Sequence, residues 1–158
     1  MTGTTSRVAE RLTALGLVLP PPVAPRYAYD AVVVHAGIAY VSGQLPWFGT
    51  ALAATGCVGA DVTVEQATGA ARMCALNALA VLQQAIGSLD RVVRFLRVTG
   101  FVASAPTFRD QPTVVDAASL LLLDIFGDAG RHARSAVGVA ALPRGAAVEI
   151  EFTCAVGP

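Results

Sequence analysis

Residues 63–87 carry the clearest pattern of hydrophobic and polar positions in the chain. Thr63 and Gln66 have the spacing of a capping box, and Gly87 follows the last apolar residue. Between them, apolar residues recur every three or four positions, the period of an amphipathic helix. The pattern therefore predicts a long helix with a broad buried face, formed by Ala67, Ala71, Cys74, Leu76, Leu79, Leu82 and Ile86.

Residues 107–130 predict a second helix, because Pro112 falls in its first turn and Gly127 stands past its end. Runs of β-branched and aromatic residues predict strands around these helices. The first two strands are split by the short segment HAG and predict a hairpin. The middle strand is predicted from alternation with period two, at Val92 or Val93, Phe95, and then Val98 and Phe101. The predicted strands are Val32–Val34, Ile38–Ser42, 91–104, Ser135–Leu142 and Ala146–Val156.

The order of the predicted elements is a helix followed by ββαβαββ. This order predicts a two-layer α+β domain, with helices on one face of a mixed sheet. Residues 47–63 are rich in Gly and Ala and predict a long loop. Residues 1–26 contain a short helix with apolar spacing at Val8 and Leu12, followed by a proline-rich connector. The chain therefore divides into this extension and a domain at 27–158.

The last predicted strand has two chemically different faces. Its apolar residues alternate with acidic and polar ones, so successive side chains point to opposite sides of the sheet. The helices take the apolar side, and the acidic side must therefore face water, a partner or a ligand. The apolar positions are Val148, Ile150, Phe152 and Cys154, and the others are Glu149, Glu151 and Thr153.

Composition adds an expectation about assembly. Hydrophobic residues make up 54% of the 158-residue chain, charged residues 14%, and the formal net charge is zero. One small domain cannot hide so much apolar surface, so we expect an oligomer subunit. No apolar run reaches the roughly 20 residues of a membrane span, and the first residues do not resemble a secretory signal. Because Cys57, Cys74 and Cys154 lack CxxC spacing, we expect a cytoplasmic protein with reduced, buried thiols.

The basic residues limit the chemistry. All eleven are arginines, so no lysine can form a Schiff base with a carbonyl substrate. They are scattered along the chain and balanced by acidic residues, so we expect no nucleic-acid partner. His35 and His132 have no metal-ligand spacing with a cysteine or an acidic residue, and we expect both to be structural and the protein to bind no metal.

Arg134 stands at the start of a predicted apolar strand. It is either an ordinary surface residue or a fixed guanidinium that binds a carboxylate through two parallel hydrogen bonds. Glu149, one strand further along the chain, could balance that charge or activate water. Ser42 and Gly43 end an earlier strand. These two residues alone favour a plain turn, but Gly43 also permits a close backbone approach, which makes both candidates for a binding site. Trp47, in the next loop, fits an interface anchor or the core equally well.

Four segments are specific when taken together: YVSGQLP, the long helix with the strand after it, FRDQPTVVDAAS, and FGDAGRHARSAVGVAALPRGAAVEIE. They resemble the RidA family, also called YjgF/YER057c/UK114 and formerly endoribonuclease L-PSP, over residues 27–156. The extra N-terminal helix resembles a long subgroup of that family. The resemblance implies a chorismate-mutase-like fold, a homotrimer with sites in clefts between subunits, and no cofactor. The implied activity is hydrolysis of reactive enamines and imines, such as 2-aminoacrylate, to 2-oxo acids and ammonia.

The resemblance also implies roles for individual residues. Arg134 matches the family's carboxylate-binding arginine, and Glu149 matches the glutamate associated with the hydrolytic water. Ser42 matches a serine that lines the pocket. Tyr29 stands where the family often has a tyrosine from across the interface, and Tyr27 competes for that position.

Two residues depart from the family pattern. Asp116 stands where many deaminases have asparagine, and it could compete for the Arg134 guanidinium and repel a carboxylate substrate. Ala136 stands where they have cysteine. Both departures favour an alternative function, in which the cleft binds a small carboxylate metabolite without turnover. Endoribonuclease activity ranks below both functions, because the sequence has no basic stripe and neither histidine has an evident acid–base partner.

Overall fold

The structure, a computed structural model, describes residues 6–158. Its helices are α1 (Arg7–Ala14), α2 (Val64–Ile86) and α3 (Gln111–Phe126). Its strands are β1 (Val32–His35), β2 (Ile38–Gln44), β3 (Trp47–Phe48), β4 (Ala51–Leu52), β5 (Val92–Ala103), β6 (Ala133–Val139) and β7 (Val148–Val156). Five of these strands form one sheet in the order β1-β2-β7-β5-β6. In this sheet β5 and β6 are parallel, and the other neighbours are antiparallel.

Helices α2 and α3 pack against one face of this sheet, which confirms the predicted two-layer α+β fold. The capping box of Thr63 and Gln66 is present at the start of α2, and Gly87 ends the helix with a φ of 83°. On β7 the predicted apolar residues are buried, and Glu149 and Glu151 lie on the opposite face. The predicted hairpin, second helix and last two strands are also confirmed, with bounds that differ by a few residues.

Strand β5 is confirmed, but its predicted period-two alternation is interrupted. Val92, Phe95 and Val98 are buried beneath the helices, but Phe101 is half-buried on the opposite face. Two β-bulges in the pairing with β7 change the apolar spacing from two residues to three. Both bulges come before Val98, so regular alternation after it places Val102 on the buried face and Phe101 on the other.

Residues 47–63 are not the uninterrupted loop that their Gly and Ala content predicts. Strands β3 and β4 pair as a small hairpin in this segment. Asn77 of α2 holds the hairpin, because its side-chain amide donates hydrogen bonds to the carbonyls of Leu45 and Trp47 at 3.1 and 3.0 Å. A buried amide, which is seen only in the fold, thus orders a segment rich in Gly and Ala.

Helix α1 is docked onto the rest of the domain. Val8 is buried in the common core. The Asp90 carboxylate accepts hydrogen bonds from the backbone amides of Arg7 and Val8 at 3.1 and 2.9 Å, so a distant side chain caps the start of the helix. Of the predicted extension 1–26, residues 1–5 lie outside the described residues.

We expect Asp90→Ala to lower the free energy of unfolding by about 1–2 kcal/mol, because two amides at the start of α1 lose their acceptor. Partial burial acts to raise the pKa of Asp90. Hydrogen bonds from Val8, Ser6 and Arg7 outweigh this effect, so the pKa is lowered. The stabilisation is therefore present above the pKa of an unfolded aspartate and is lost as the pH falls through the lower folded value. Urea titrations at neutral and acidic pH measure both effects. Asp124→Ala, on the exposed side of α3, is the control, and an equal loss there contradicts the capping role.

The prediction of buried thiols is confirmed for Cys74 and Cys154, whereas Cys57 is half-buried; all three are free. Burial raises the pKa of Cys154 to about 12, so this thiol stays neutral. Within residues 6–158, no helix combines the length and the hydrophobicity that crossing a bilayer requires. In the same part of the chain, no three side chains of His, Cys, Asp or Glu come together to hold a metal ion.

Candidate functional site

Glu149 lies on the open face of the sheet, which is the face opposite the helices, where β7 pairs with β2. The register of this pairing shifts between Val41 and Gln44, so the β2 backbone bulges beside the glutamate. Gly43 lies in the bulge. A Cβ atom on Gly43 would overlap Oε1 of Glu149 and lie 2.8 Å from its carboxyl carbon. The carboxylate therefore rests against backbone, an approach that glycine permits.

Burial and, second, the negative charge of Glu151 raise the pKa of Glu149 above its usual value. Both effects disfavour the ionised carboxylate. The ion pairs found within residues 6–158 do not include Glu149. A half-buried carboxyl group with a raised pKa and no paired cation is suited to accept a proton and return it.

A cavity of about 470 Å³ opens beside Glu149, within the volume range of small-molecule sites. Tyr27 and Tyr29 both line it, so both candidates for the tyrosine of the site share a cavity with the glutamate. We call this space the glutamate cavity. Its wall also includes Gly43, Trp47, Arg26 and Arg144.

Ser42 does not line the glutamate cavity. Its hydroxyl donates a hydrogen bond to the Asp30 carbonyl at 2.8 Å, which ties the end of β2 to the segment before β1. Ser42 instead lines a smaller depression of the open face, with Arg97 and Glu151. Within one chain, the predicted serine is therefore next to the cavity in sequence but not part of its wall.

Arg134 lies on edge strand β6 and on the helix side of the sheet, because its partner in the register is the fully buried Val98. Its Nη1 atom donates hydrogen bonds to Asp116 Oδ1 at 2.9 Å and to Ser119 Oγ at 3.1 Å, both on α3. A ligand carboxylate at this guanidinium would therefore have to compete with Asp116. The Arg134 side chain is 25% exposed and that of Asp116 52%, so a ligand can reach the pair.

Glu149 and Arg134 are not neighbours within one chain, so Glu149 does not balance this arginine's charge there. Strand β5 separates β6 from β7 in the sheet. The register partner of Glu149 is Phe101 on the open face, whereas that of Arg134 is Val98 on the helix side. Strands β6 and β7 are consecutive in the chain, but they are not adjacent in the sheet. Their charged residues Arg134 and Glu149 also point to opposite faces. Asp116 supplies the charge balance instead.

A chain of hydrogen bonds behind Arg134 fixes its orientation. His132 Nδ1 lies 2.6 Å from the Gly130 carbonyl, which can only accept, so Nδ1 is the donor of this contact. His132 Nε2 lies 2.9 Å from the Ser119 hydroxyl oxygen, which also accepts the hydrogen bond from Arg134. The sequence does not predict these contacts. The available signal is the three-residue spacing of Asp116 and Ser119, which puts both on one helix face.

Ala136 follows Arg134 by two residues on β6 and is partly buried against the core on the same side. Its methyl group can neither attack a carbon nor move a proton. We call Arg134, Asp116, Ser119 and Ala136 the arginine group. The arginine group can hold an anion, and the glutamate cavity can move a proton, but the two lie on opposite faces of the sheet.

The open face of the sheet exposes apolar side chains. Val33 and Tyr40 are 48% and 51% exposed, and Val137 is 42% exposed. Val137 and Glu149 share this face because both pair with Phe101. Large apolar side chains exposed at both edges of one sheet face are consistent with a face that contacts another protein.

Comparison with known proteins adds the following similarities. The family model described as "YjgF/chorismate mutase-like, putative endoribonuclease" matches residues 9–151. Protein TCP17 of Trypanosoma cruzi is 47% identical over 146 residues, which cover 92% of this chain and 91% of that protein. Protein Atu1372 of Agrobacterium tumefaciens is 41% identical and superposes with a TM-score of 0.87, covering 94% of this chain and 91% of that one. A Shewanella oneidensis protein with the same endoribonuclease label is 34% identical, with a TM-score of 0.91 over 94% of this chain and 99% of its own.

Proposed function

The chain belongs to the RidA/YjgF family, and from that premise we propose that it hydrolyses reactive 2-imino and 2-enamino acids to 2-oxo acids and ammonia. The observation that carries the proposal is the Glu149 carboxyl group, half-buried at the wall of a cavity, with a raised pKa. Such a group can take a proton from water and return it to a leaving amine. Hydrolysis of a C=N bond is redox-neutral and needs no cofactor.

The proposed site is completed between subunits. Within one chain, the arginine group and the glutamate cavity lie on opposite faces of the sheet, so one small substrate cannot contact both. A homotrimer in which the open face of one subunit meets the β6 edge of the next would bring them together. The exposed Val33, Tyr40 and Val137 support burial of the open face.

In this assembly, Arg134 holds the substrate carboxylate through charge-assisted hydrogen bonds. Ionised Glu149 takes a proton from water as the water oxygen attacks the carbon of the protonated C=N bond, and an amino alcohol forms. Glu149 returns that proton to the amino nitrogen. Ammonia leaves with the C–N electron pair, and the hydroxyl proton passes to Glu149 as the C=O bond forms. Imines hydrolyse readily in water, so orientation and proton transfer need supply about 10²–10⁴-fold.

A hydrolysis assay tests the proposed function. An amino-acid oxidase with catalase converts 2-aminobutanoate to 2-iminobutanoate in situ, and the release of 2-oxobutanoate is measured against the spontaneous rate. We expect release to accelerate in proportion to protein concentration and to saturate with imine. Release at the spontaneous rate over the whole concentration range overturns the proposal.

We expect Asp116→Asn to tighten 2-oxobutanoate binding about tenfold, because the ligand carboxylate no longer competes with a resident anion for Arg134. Asparagine keeps the shape and one acceptor oxygen, so the substitution isolates the loss of charge. Isothermal titration calorimetry measures the change. Asp128→Asn is the matched control, since it removes the same charge from the exposed pair with Arg131 at 3.2 Å. Equal tightening in both variants, or none in Asp116→Asn, contradicts the proposed competition.

The second candidate function is binding of a small carboxylate without turnover. The ion pair of Arg134 with Asp116 favours it, because the guanidinium is already partly neutralised, and so does the inert Ala136. Calorimetric binding of 2-oxobutanoate together with imine hydrolysis at the spontaneous rate would support this function. The endoribonuclease label of the relatives suggests RNA cleavage, which the zero net charge does not favour.

A further inference from the structure

Arg144 adopts a strained backbone conformation at the wall of the glutamate cavity. It is the third residue of a turn closed by a hydrogen bond from the Gly145 amide to the Leu142 carbonyl at 3.1 Å. Its φ is 59° and its ψ is 18°. Glycine is favoured at such a position, because a Cβ atom is strained in the left-handed region. An arginine kept there indicates a use for its side chain.

The Arg144 side chain has a defined place beside the cavity. Its Cζ atom lies 5.7 Å from the centroid of the Trp47 ring, within the range of a cation–π contact. Trp47 belongs to the β3–β4 hairpin, which Asn77 anchors to α2 through the Trp47 carbonyl. The guanidinium is therefore oriented by the fold and presented at the cavity wall.

Arg26, in the connector before β1, is a second arginine in the lining of the cavity. The ion pairs within residues 6–158 include neither Arg26 nor Arg144. The charged residues of the cavity lining are these two arginines and Glu149. Two cations and one carboxyl group give the cavity a positive excess, and the complementary ligand group is an anion.

We propose that Arg144 and Arg26 bind a second, distal carboxylate of the substrate, so that the preferred substrates are dicarboxylic 2-imino acids. The inference rests on the proposed function for the reacting end of the molecule and adds the substrate class. The cavity supports it by size as well, since about 470 Å³ lies in the range that holds drug-sized ligands, whereas 2-aminoacrylate is a three-carbon acid.

A matched pair of ligands tests the proposal without turnover. The first is 2-oxoglutarate, and the second is 5-methyl-2-oxohexanoate, in which an isopropyl group replaces the distal carboxylate. By calorimetry we expect the wild-type protein to bind 2-oxoglutarate about 10–100-fold more tightly, through charge-assisted hydrogen bonds. Added salt should reduce this preference, because part of the cavity is open to solvent.

For each arginine variant, the quantity compared is the ratio of the affinity for 2-oxoglutarate to the affinity for 5-methyl-2-oxohexanoate. We expect Arg144→Gln and Arg26→Gln each to lower the ratio about tenfold. Arg72→Gln, on α2 and outside the cavity lining, removes the same charge and should leave the ratio unchanged. Arg144→Gly removes the side chain and relieves the strained φ, so it should fold, by circular dichroism, and lose the same preference.

Equal affinity for the two ligands overturns the inference, and so does a preference that Arg144→Gln and Arg26→Gln leave intact. The proposed function fails by a different result. A diacid preference without imine hydrolysis removes the reaction and supports this binding site. Hydrolysis of 2-iminobutanoate with no diacid preference supports the reaction and overturns this inference.

Discussion

Replacing Glu149 with glutamine should lower kcat for 2-iminobutanoate hydrolysis by about 10²–10⁴-fold, the usual contribution of a positioned acid–base group. Glutamine has nearly the same shape and rests against Gly43 as the glutamate does, but it cannot take up a proton. Binding of 2-oxobutanoate should therefore stay within a few-fold of wild type. Steady-state kinetics measure kcat, and calorimetry measures the affinity.

The matched control for this variant is Glu151→Gln, on the same face of β7. Wild-type activity should fall as the pH falls through the raised pKa of Glu149, because only the ionised carboxylate can take a proton from water. Burial is the larger cause of that raised pKa, and the charge of Glu151 the smaller one. Glu151→Gln should therefore move the acid limb of the pH profile part of the way to lower pH. A loss of kcat as large as that in Glu149→Gln contradicts the role assigned to Glu149.

Replacing Arg134 with alanine should weaken 2-oxobutanoate binding by about 100-fold or more. The change removes the charge-assisted donors, and it leaves Asp116 as an unpaired anion beside the ligand carboxylate. Calorimetry and the imine assay should show the loss together. Arg94→Ala, at an exposed arginine of the neighbouring strand β5, is the control. Unchanged deamination in Arg134→Ala rules out the carboxylate-binding role.

Mixed assemblies test whether each site takes its two charged residues from different subunits. Chains with Arg134→Ala and chains with Glu149→Gln are each expected to be inactive alone. When they are co-refolded in equal amounts, each contributor to a site is intact with a chance of one half, so about one quarter of the sites should be whole in a random trimer. Recovery of that fraction of wild-type kcat supports the shared site, and no recovery places both residues in one chain.

Local chemistry explains why much of the fold could be predicted from the sequence. Thr63 and Gln66 cap α2 through hydrogen bonds to nearby backbone, and Gly87 ends it through a φ that disfavours other residues. Strand order is different, because it depends on pairing between segments far apart in the chain. The bulges before Val98 likewise arise from the pairing of β5 with β7, so the interruption of the period-two alternation in β5 could not be read from the sequence.

Part of the candidate site could likewise be predicted from the sequence, and part of it could not. Sequence motifs identified Arg134 and Glu149 as candidate site residues, because the residues on either side of each form a distinctive pattern along the chain. Their separation could not be read from the motifs, since it depends on β5 lying between their strands and on which face each side chain takes. The orientation of Arg134 by His132 could not be predicted either, because a hydrogen bond between a helix and a later loop leaves no sequence pattern.

Because Arg134 and Glu149 lie on opposite faces of the sheet, activity should depend on protein concentration. A monomer contains both side chains, but one substrate molecule cannot contact both of them. Dilution below the dissociation constant of the proposed trimer should therefore abolish activity while the circular dichroism spectrum stays constant. Specific activity would rise steeply with protein concentration and then reach a plateau. A newly synthesised chain would be inactive until it assembled with other subunits.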